Sequence, residues 1–428
     1  MDFTFYSRLV SKLKNIVVKK YGGATVATPE KIKGIAKSLI EELSAGHTLV
    51  VVVSAMGKTT NSLIELASQI SAKPSQREMD MLLSVGERIS MSLLSMSIQD
   101  LGKQAISLTG SQAGILTNSD HENAQIIDLR PFRVVSELEK NKIIVLAGFQ
   151  GVDPNTKEIT TLGRGGSDTT AVSVASGLNA SVCEILKDVP SVFSADPKKI
   201  KSAKVLSELT YEQMMDMTFW GAKVLHYRSV ELAAVKGVKL YIGPSEGNHA
   251  KQGTYIRSYT HPKEFNLIHE KMKNKMETAH VLSINTIETV FKIKMKSNSI
   301  HDDYAKLKDL FKKNEIIFPQ ILSVDSDGSV NTLFITAPEE MLSMIKKIPA
   351  TNDIEISDGI ATVCLTCTGV PTFETQSQIS KKLGDLKISP LKIQMSALSV
   401  ILYIDKNHLA KAVEGLHGLI DLDQTTAG

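Results

Sequence analysis

The chain is short of cysteine, of tryptophan and of surplus charge. Its 428 residues hold three cysteines and one tryptophan, and 49 basic against 46 acidic side chains leave a formal charge of +3. Three cysteines cannot form a disulfide framework, which points to a reducing, cytoplasmic setting. Cys364 and Cys367 make a lone C-x-x-C inside a β-branched pattern, where strand alternation sends the two side chains to opposite faces. Two ordinary strand cysteines are expected there rather than a metal or redox pair. The near balance of charge gives no electrostatic reason to expect nucleic acid or an anionic membrane as a partner. No apolar run approaches the ~20 residues a membrane helix needs. Residues 1–14 lack the apolar core and small-residue cleavage site of a signal peptide and read as an N-terminal extension. No G-x-x-x-x-G-K-[ST] is present, so a phosphate site, if there is one, is not of the Walker A kind.

What is there is the composition of a globular protein, 42% apolar and 22% charged, in a chain long enough for two or three domains. One stretch organises it: Thr161-Leu-Gly-Arg-Gly-Gly-Ser-Asp-Thr-Thr170. The apolar run Ile143–Phe149 upstream reads as a buried strand, and downstream Ser167 or Asp168 can cap a helix of small and apolar residues. Glycines let backbone approach a ligand, a helix N-terminus offers N–H groups to an anion, and Arg164 adds a planar fork suited to carboxylate or phosphate. Taken alone, the stretch is equally a glycine-rich turn.

Around it, strand-turn-helix units repeat. Ile16-Val-Val leads into Lys20-Tyr-Gly-Gly, and Thr28 and Pro29 then open a helix towards Leu43. Leu49–Val53 is a continuous apolar strand of the kind buried in a parallel sheet, ending in Ser54-Ala-Met-Gly-Lys-Thr-Thr-Asn61. Similar units follow at Ala105, Ile143 and Val182, predicting an α/β domain with a mostly parallel sheet and helices on both faces. Ligands in such folds gather at the carboxyl ends of the strands, where all these Gly/Ser/Thr-rich turns lie. After about residue 256 the rhythm changes to a βαββαβ order that occurs twice, predicting two small α+β modules.

These pieces resemble the aspartate kinases. Lys20-Tyr-Gly-Gly-Ala-Thr-Val26 is similar to that family's K-F-G-G-T-S-V, and Leu82-Leu-Ser-Val-Gly-Glu-Arg-Ile-Ser90 to its L-x-S-x-G-E-x-x-S. The stretch from Val51 to Asn61 is similar to its second glycine-serine loop, Gly163–Asp168 to G-R-G-G-S-D, and Phe219–His226 to F-G-A-K-V-L-H. The resemblance covers nearly the whole chain after residue 15. It implies an amino acid kinase three-layer αβα sandwich over 15–256, a linker and helix over 257–279, and two ferredoxin-like ACT modules over 280–428. The first module is expected at about 289–357, inserted into a second made of 280–288 plus 358–428. The implied reaction is transfer of the ATP γ-phosphoryl group to the β-carboxylate of L-aspartate, the first step towards lysine, diaminopimelate, threonine and methionine. Mg2+ would be held through the nucleotide phosphates.

Residue by residue, the resemblance implies that Lys20 stabilises the transferring phosphoryl group and that Gly22, Gly23 and Ser54 hold ATP phosphates. Arg164 would clamp the α-carboxylate of aspartate and Glu87 its ammonium. Thr60 and Ser167 would orient the attacking carboxylate, Asp168 would hold Lys20 in place, and Lys223 would reach ATP. Turn, cap and surface roles remain open for Ser54, Thr60, Glu87 and Lys223. The chemistry fits these side chains, since an ionised carboxylate needs no general base and catalysis can rest on alignment and charge neutralisation.

The nucleotide loop departs from the family's T-D-V-x-G-V-Y-T-x-D-P-R. Here Lys187, Ser191, Phe193 and Lys198 replace threonine, glycine, tyrosine and arginine, while Asp188, Asp196 and Pro197 remain. Phe193 can stack on adenine without a phenolic hydrogen bond, Asp188 and Lys198 stay candidate nucleotide contacts, and Lys187 is given a phosphate role of its own. In the C-terminal modules Ser297, Asn298, Asp325, Ser326 and Asp327 are candidate contacts for an effector amino acid, lysine first, although turn chemistry explains them equally. A homodimer or larger oligomer through these modules is expected. The competing readings are a glutamate or N-acetylglutamate kinase of the same fold and a non-catalytic amino-acid sensor.

Overall fold

The computed structural model describes residues 13–245, 253–258, 279–297, 299–316, 319–349, 351 and 353–420. Residues 1–12, most of the expected linker at 257–279, and Asn298 lie outside them. Packing divides the chain into two units. The first holds residues up to 193, 205–218 and 223–265, and the second holds 194–204, 219–222 and 266 onward.

In the first unit the apolar runs of the sequence become strands β1 (Ile16–Tyr21), β2 (Thr48–Val53), β3 (Ala105–Leu108), β4 (Ile115–Thr117), β5 (Ile126–Leu129), β6 (Ile143–Ala147), β7 (Gln150–Val152), β8 (Ile159–Thr161), β9 (Val182–Lys187), β10 (Glu208–Thr210), β11 (Leu240–Pro244) and β12 (Thr254–Arg257). Among the described residues, eight of them form one sheet in the order β10-β12-β11-β9-β1-β2-β6-β3, and β5-β4-β7-β8 form a smaller one. In the large sheet every pair is parallel except β11 with β12.

The helices are α1 (Pro29–Ser44), α2 (Thr59–Ile70), α3 (Gln76–Leu83), α4 (Val85–Asp100), α5 (Phe132–Leu138), α6 (Gly166–Gly177), α7 (Tyr211–Phe219) and α8 (Tyr227–Lys236). Thr28 caps α1 and Pro29 opens it, as the sequence indicates. Ile32, Ile35, Ala36 and Leu39 of α1 and Met91, Leu94 and Ile98 of α4 pack on Val17, Tyr21, Val51 and Val53, forming the core on one face of the sheet. Residues 76–100 are long and apolar enough by composition to cross a membrane, but half of that span is buried inside the molecule. Helix α6 covers β1, β2 and β9 on the other face.

The second unit contains β13 (Val281–Lys296), α9 (Ile300–Lys313), β14 (Gln320–Ser326), β15 (Val330–Thr336), α10 (Glu339–Lys346), β16 (Ile354–Cys367), α11 (Phe373–Asp385), β17 (Lys392–Met395), β18 (Ser399–Asp405) and α12 (Leu409–His417). They build one antiparallel sheet, β14-β15-β13-β16-β18-β17. The two βαββαβ patterns therefore run together. The strands read separately at 280–284 and 290–295 are one strand, β13, with a register shift between Ile287 and Val290. Residues 281–287 of it pair with 362–367, and 290–295 with 354–360. Cys364 and Cys367 are buried, form no disulfide and lie in different apolar clusters, as strand alternation requires.

Two short excursions from the first part of the chain belong to this unit. Ser194 accepts the backbone N–H of Ile284 at 2.7 Å, and its hydroxyl lies 3.1 Å from Nε2 of His417. Ala195 and Ile200 pack among Val281, Val363 and Leu416. Trp220, from the second excursion, packs with Val290, Phe334 and Tyr403.

Candidate active site

Strand alternation on β1 separates two neighbouring lysines. Lys19 points towards α1, where it is 1% exposed and pairs with Glu42 at 2.8 Å and Glu184 at 2.5 Å. Lys20 points the other way, towards the start of α6, and its ammonium lies 2.6 Å from Oδ1 of Asp168. At that distance the contact is an ion pair. Lys187, at the carboxyl end of β9, reaches Oδ2 of the same carboxylate at 3.4 Å and also donates to the carbonyl of Val224. Burial by itself would raise the Asp168 carboxyl, but the ammoniums of Lys20 and Lys187 outweigh it and hold it below the usual range.

Asp168 can face both lysines because neither it nor Ser167 caps the helix, contrary to the sequence reading. Gly165 takes that position with φ +72° and no side-chain cap, so Ser167 and Asp168 fall in the first turn with their side chains available. Only glycine fits there. A Cβ on Gly165 would stand 2.2 Å from Cβ of His226, at a φ that other residues adopt at a cost. Ser167 in turn sits against Gly148, just past β6, where a Cβ would come within 2.7 Å of the serine's own Cβ.

The loop after β2 brings in Glu87. Gly86 lets α4 approach Ala55 so closely that a Cβ on it would lie 2.7 Å from that alanine's Cβ. Glu87 Oε1 accepts the N–H of Ala55 at 3.0 Å, whereas Oε2 is buried with no hydrogen-bond partner. Burial pushes the Glu87 carboxyl up to about 7, against the pull of the Ala55 N–H and Lys20. Ser90, also on α4, donates to the carbonyl of Ser54 at 2.7 Å and fixes the same loop. Gly22 and Gly23 tie the first loop to its neighbours: Gly22 donates to Leu186 O at 3.3 Å, and Gly23 O accepts from Gly57 at 3.0 Å.

Lys20, Asp168, Lys187, Gly22, Gly23, Ser54, Glu87 and Ser167 thus all lie at the carboxyl ends of β1, β2, β6 and β9. Thr60 is half-buried in the first turn of α2, and Arg164, Asp188 and Lys223 are exposed in the same unit. Phe193 is half-buried and bridges to Val205, while Lys198 falls in the 194–204 excursion of the second unit. Of the effector candidates, Asp325 pairs with Lys392 at 2.5 Å. Asp327 Oδ1 accepts the N–H groups of Ser329 and Val330, and Ser297 bonds the backbone of Ser299, which is turn and loop chemistry.

The sequence reading missed the residues that hold the Arg164 loop. The Arg228 guanidinium donates to Leu162 O at 2.7 Å, Ala124 O at 3.0 Å and Asn123 Oδ1 at 3.2 Å. Asp80, fully buried, accepts from Thr161 Oγ1 at 2.5 Å and Glu122 N at 3.0 Å and meets Nδ1 of His121 at 2.6 Å. His226 caps α8 and packs on Gly165. It stands at the end of the Phe219–His226 run, whereas nothing in the local sequence marks Arg228 or Asp80, whose partners lie 41 to 105 residues away.

Residues 15–244 match the model of the amino acid kinase family. Among curated relatives, the chain is 38% identical over 416 residues to aspartokinase 2 of Bacillus subtilis, covering 96% of this chain and 98% of that one. To the aspartokinase of Mycolicibacterium smegmatis it is 36% identical over 414 residues, covering 94% and 95%. Among solved structures it is similar in fold to E. coli aspartokinase III in complex with aspartate and ADP, with TM-score 0.74, 19% identity and coverage of 94% and 99%. The same enzyme in complex with lysine and aspartate matches with TM-score 0.72, 21% identity and coverage of 95% and 100%.

Proposed function

The chain belongs to the amino acid kinase family, among its aspartokinases, and from that membership we propose how its residues transfer the ATP γ-phosphoryl group to the β-carboxylate of L-aspartate. The observation that carries the reading is the pairing of buried Lys20 with buried Asp168, close to a Glu87 carboxyl that has one oxygen unsatisfied. A zwitterionic substrate needs an anion for its ammonium, and Glu87 Oε2 offers one. Arg164 takes the α-carboxylate, and Thr60 and Ser167 orient the β-carboxylate. The backbone of Gly22 and Gly23, with Ser54, receives phosphate oxygens, and Lys20, aimed by Asp168, meets the charge on the transferring group. Asp188, Phe193 and Lys223 serve the nucleotide, Phe193 by stacking.

The attacking carboxylate is ionised at neutral pH, so no proton has to move. Both oxygens of Asp168 already face ammoniums, and among the described residues no three His, Cys, Asp or Glu side chains gather to cage an ion. We therefore assign Mg2+ to the nucleotide's own phosphate oxygens, where it would neutralise charge. ADP release from MgATP, measured with aspartate, glutamate and N-acetylglutamate, tests the reading. Turnover with aspartate alone is expected, and turnover only with glutamate would overturn it.

We also propose lysine as an inhibitor acting through the second unit, and a dimer or larger assembly formed through that unit. Ser297, Asn298, Asp325, Ser326 and Asp327 are the candidate contacts. Likeness to a lysine-bound aspartokinase III supports the choice. Inhibition assays with lysine, threonine and diaminopimelate test the effector, and light scattering tests the assembly. Inhibition by threonine alone, or a monomer at assay concentration, would refute the corresponding part.

A further inference from the structure

Asp168 carries one ammonium on each carboxylate oxygen, Lys20 on Oδ1 and Lys187 on Oδ2. Lys20 alone, at 2.6 Å, neutralises that carboxylate. The second lysine leaves the trio with a surplus positive charge in a place that is 7% exposed at Lys20, 6% at Asp168 and 20% at Lys187. An unbalanced buried charge is costly unless something of opposite sign completes it. The Lys187 ammonium is moreover not free to turn to water, since the Val224 carbonyl anchors it. The pattern Cys183-Glu-Ile-Leu-Lys187 sets this lysine at the end of a central strand. Lys223, the lysine that the resemblance assigns to ATP, is by contrast exposed.

We propose that Lys187 is a second catalytic cation of this phosphoryl transfer, touching the transferring group while Asp168 holds it and Lys20 as a pair. The proposal rests on the aspartate kinase reading. In the step concerned, the bond from the γ-phosphorus to the β,γ-bridging oxygen breaks and its electron pair leaves with ADP. A β-carboxylate oxygen of aspartate forms the new P–O bond. The surplus positive charge then meets the anionic oxygens of the transferring group rather than solvent. Burial lowers the Lys187 pKa below the ordinary lysine value, with Asp168 and Asp188 opposing and Lys20 adding to the fall. The protonated, active form is therefore lost with rising pH earlier than for an ordinary lysine.

The test uses the full chain with Lys187→Met and Lys187→Arg, measuring kcat at saturating MgATP and aspartate from pH 6 to 10 and the Kd of MgADP by calorimetry. Loss of one charge-stabilising donor at a transition state costs about 100-fold or more in kcat. That loss is expected for Lys187→Met, with the ADP Kd changed by less than about threefold. Lys187→Arg, whose side chain does not titrate in this range, should keep more of the rate and lose the alkaline fall expected of the unmodified protein. A Lys187→Met kcat within threefold of the unmodified protein overturns the proposal. So does a defect confined to KM for ATP and the ADP Kd, which would make Lys187 a nucleotide contact only. If the methionine variant does not fold, an alkaline fall that persists in Lys187→Arg overturns it instead. Absence of ADP release with aspartate in the unmodified protein would remove the parent reading as well, and so is distinguishable from failure of this one.

Discussion

Replacing Glu87 by glutamine should strengthen the fold and weaken the substrate site, and pH separates the two effects. Burial moves the Glu87 carboxyl from 4.5 to about 7, a rise of 7 − 4.5, or about 2.5. At ~1.4 kcal/mol per pKa unit this is about 3 kcal/mol of preference for the neutral form. A carboxyl whose pKa is higher in the folded than in the unfolded state contributes stability below its unfolded value, near 4.5, and that stability is lost as pH rises through about 7. Glu87→Gln keeps an oxygen for the Ala55 N–H and removes the buried charge, leaving an unpaired amide that costs roughly 1 kcal/mol. At pH 8 the variant should therefore be about 2 kcal/mol more stable, raising the melting temperature of this unit by roughly 4–8 °C, and at pH 4.5 the gain should vanish. Substrate binding should show the reverse face of the same titration. Only the ionised carboxyl receives the aspartate ammonium, so between pH 8 and pH 6 the unmodified protein should lose about tenfold in apparent aspartate affinity. Scanning fluorimetry across pH and aspartate KM from pH 6 to 8 are the assays. A stability gain that does not change with pH, together with a flat KM profile, would refute the reasoning.

Neighbouring lysines on β1 should respond oppositely. Lys19→Met strands Glu42 and Glu184 without their shared cation and should destabilise by about 3–5 kcal/mol, with kcat in the surviving protein nearly unchanged. Lys20→Ala should melt close to the unmodified protein and lose at least 100-fold in kcat, and a retained kcat would remove its assigned role. Asp168→Asn leaves the Lys20 and Lys187 ammoniums facing one another, so ADP should raise its melting temperature more than it raises that of the unmodified protein. Equal shifts in calorimetry would contradict the charge argument. Gly165→Ala places a methyl against His226 at a positive φ and should cost at least 1–2 kcal/mol by chemical denaturation.

Much of this was legible along the chain because it depends on near neighbours. The five-residue apolar run Leu49–Val53, the Thr28 cap with Pro29, and the glycine loops after strands are local signals, and each stands where the sequence put it. What was not legible depends on residues far apart. Ser167 and Asp168 look like good caps, but His226, brought over by α8, fixes the turn at Gly165 instead. Strands at 280–284 and 290–295 look separate because Asn285, Thr286, Glu288 and Thr289 interrupt the apolar pattern, yet pairing to β16 carries the strand through them. Lys187 could be noted only as a departure from a pattern. Its carboxylate lies 19 residues earlier, and only the fold brings the two together.

The excursions at 194–204 and 219–222 make the chain enter its second unit three times. The boundary is consequently a property of the folded chain and has no counterpart as a point on the gene. A truncation after Arg257 would not yield a clean kinase, because Ala195, Ile200 and Trp220 would lose the apolar neighbours that cover them. Exchange of regulatory halves between relatives faces the same constraint. Residues 194–204 and 219–222 would have to travel with the half they pack against, so the two parts can be engineered only as a matched set.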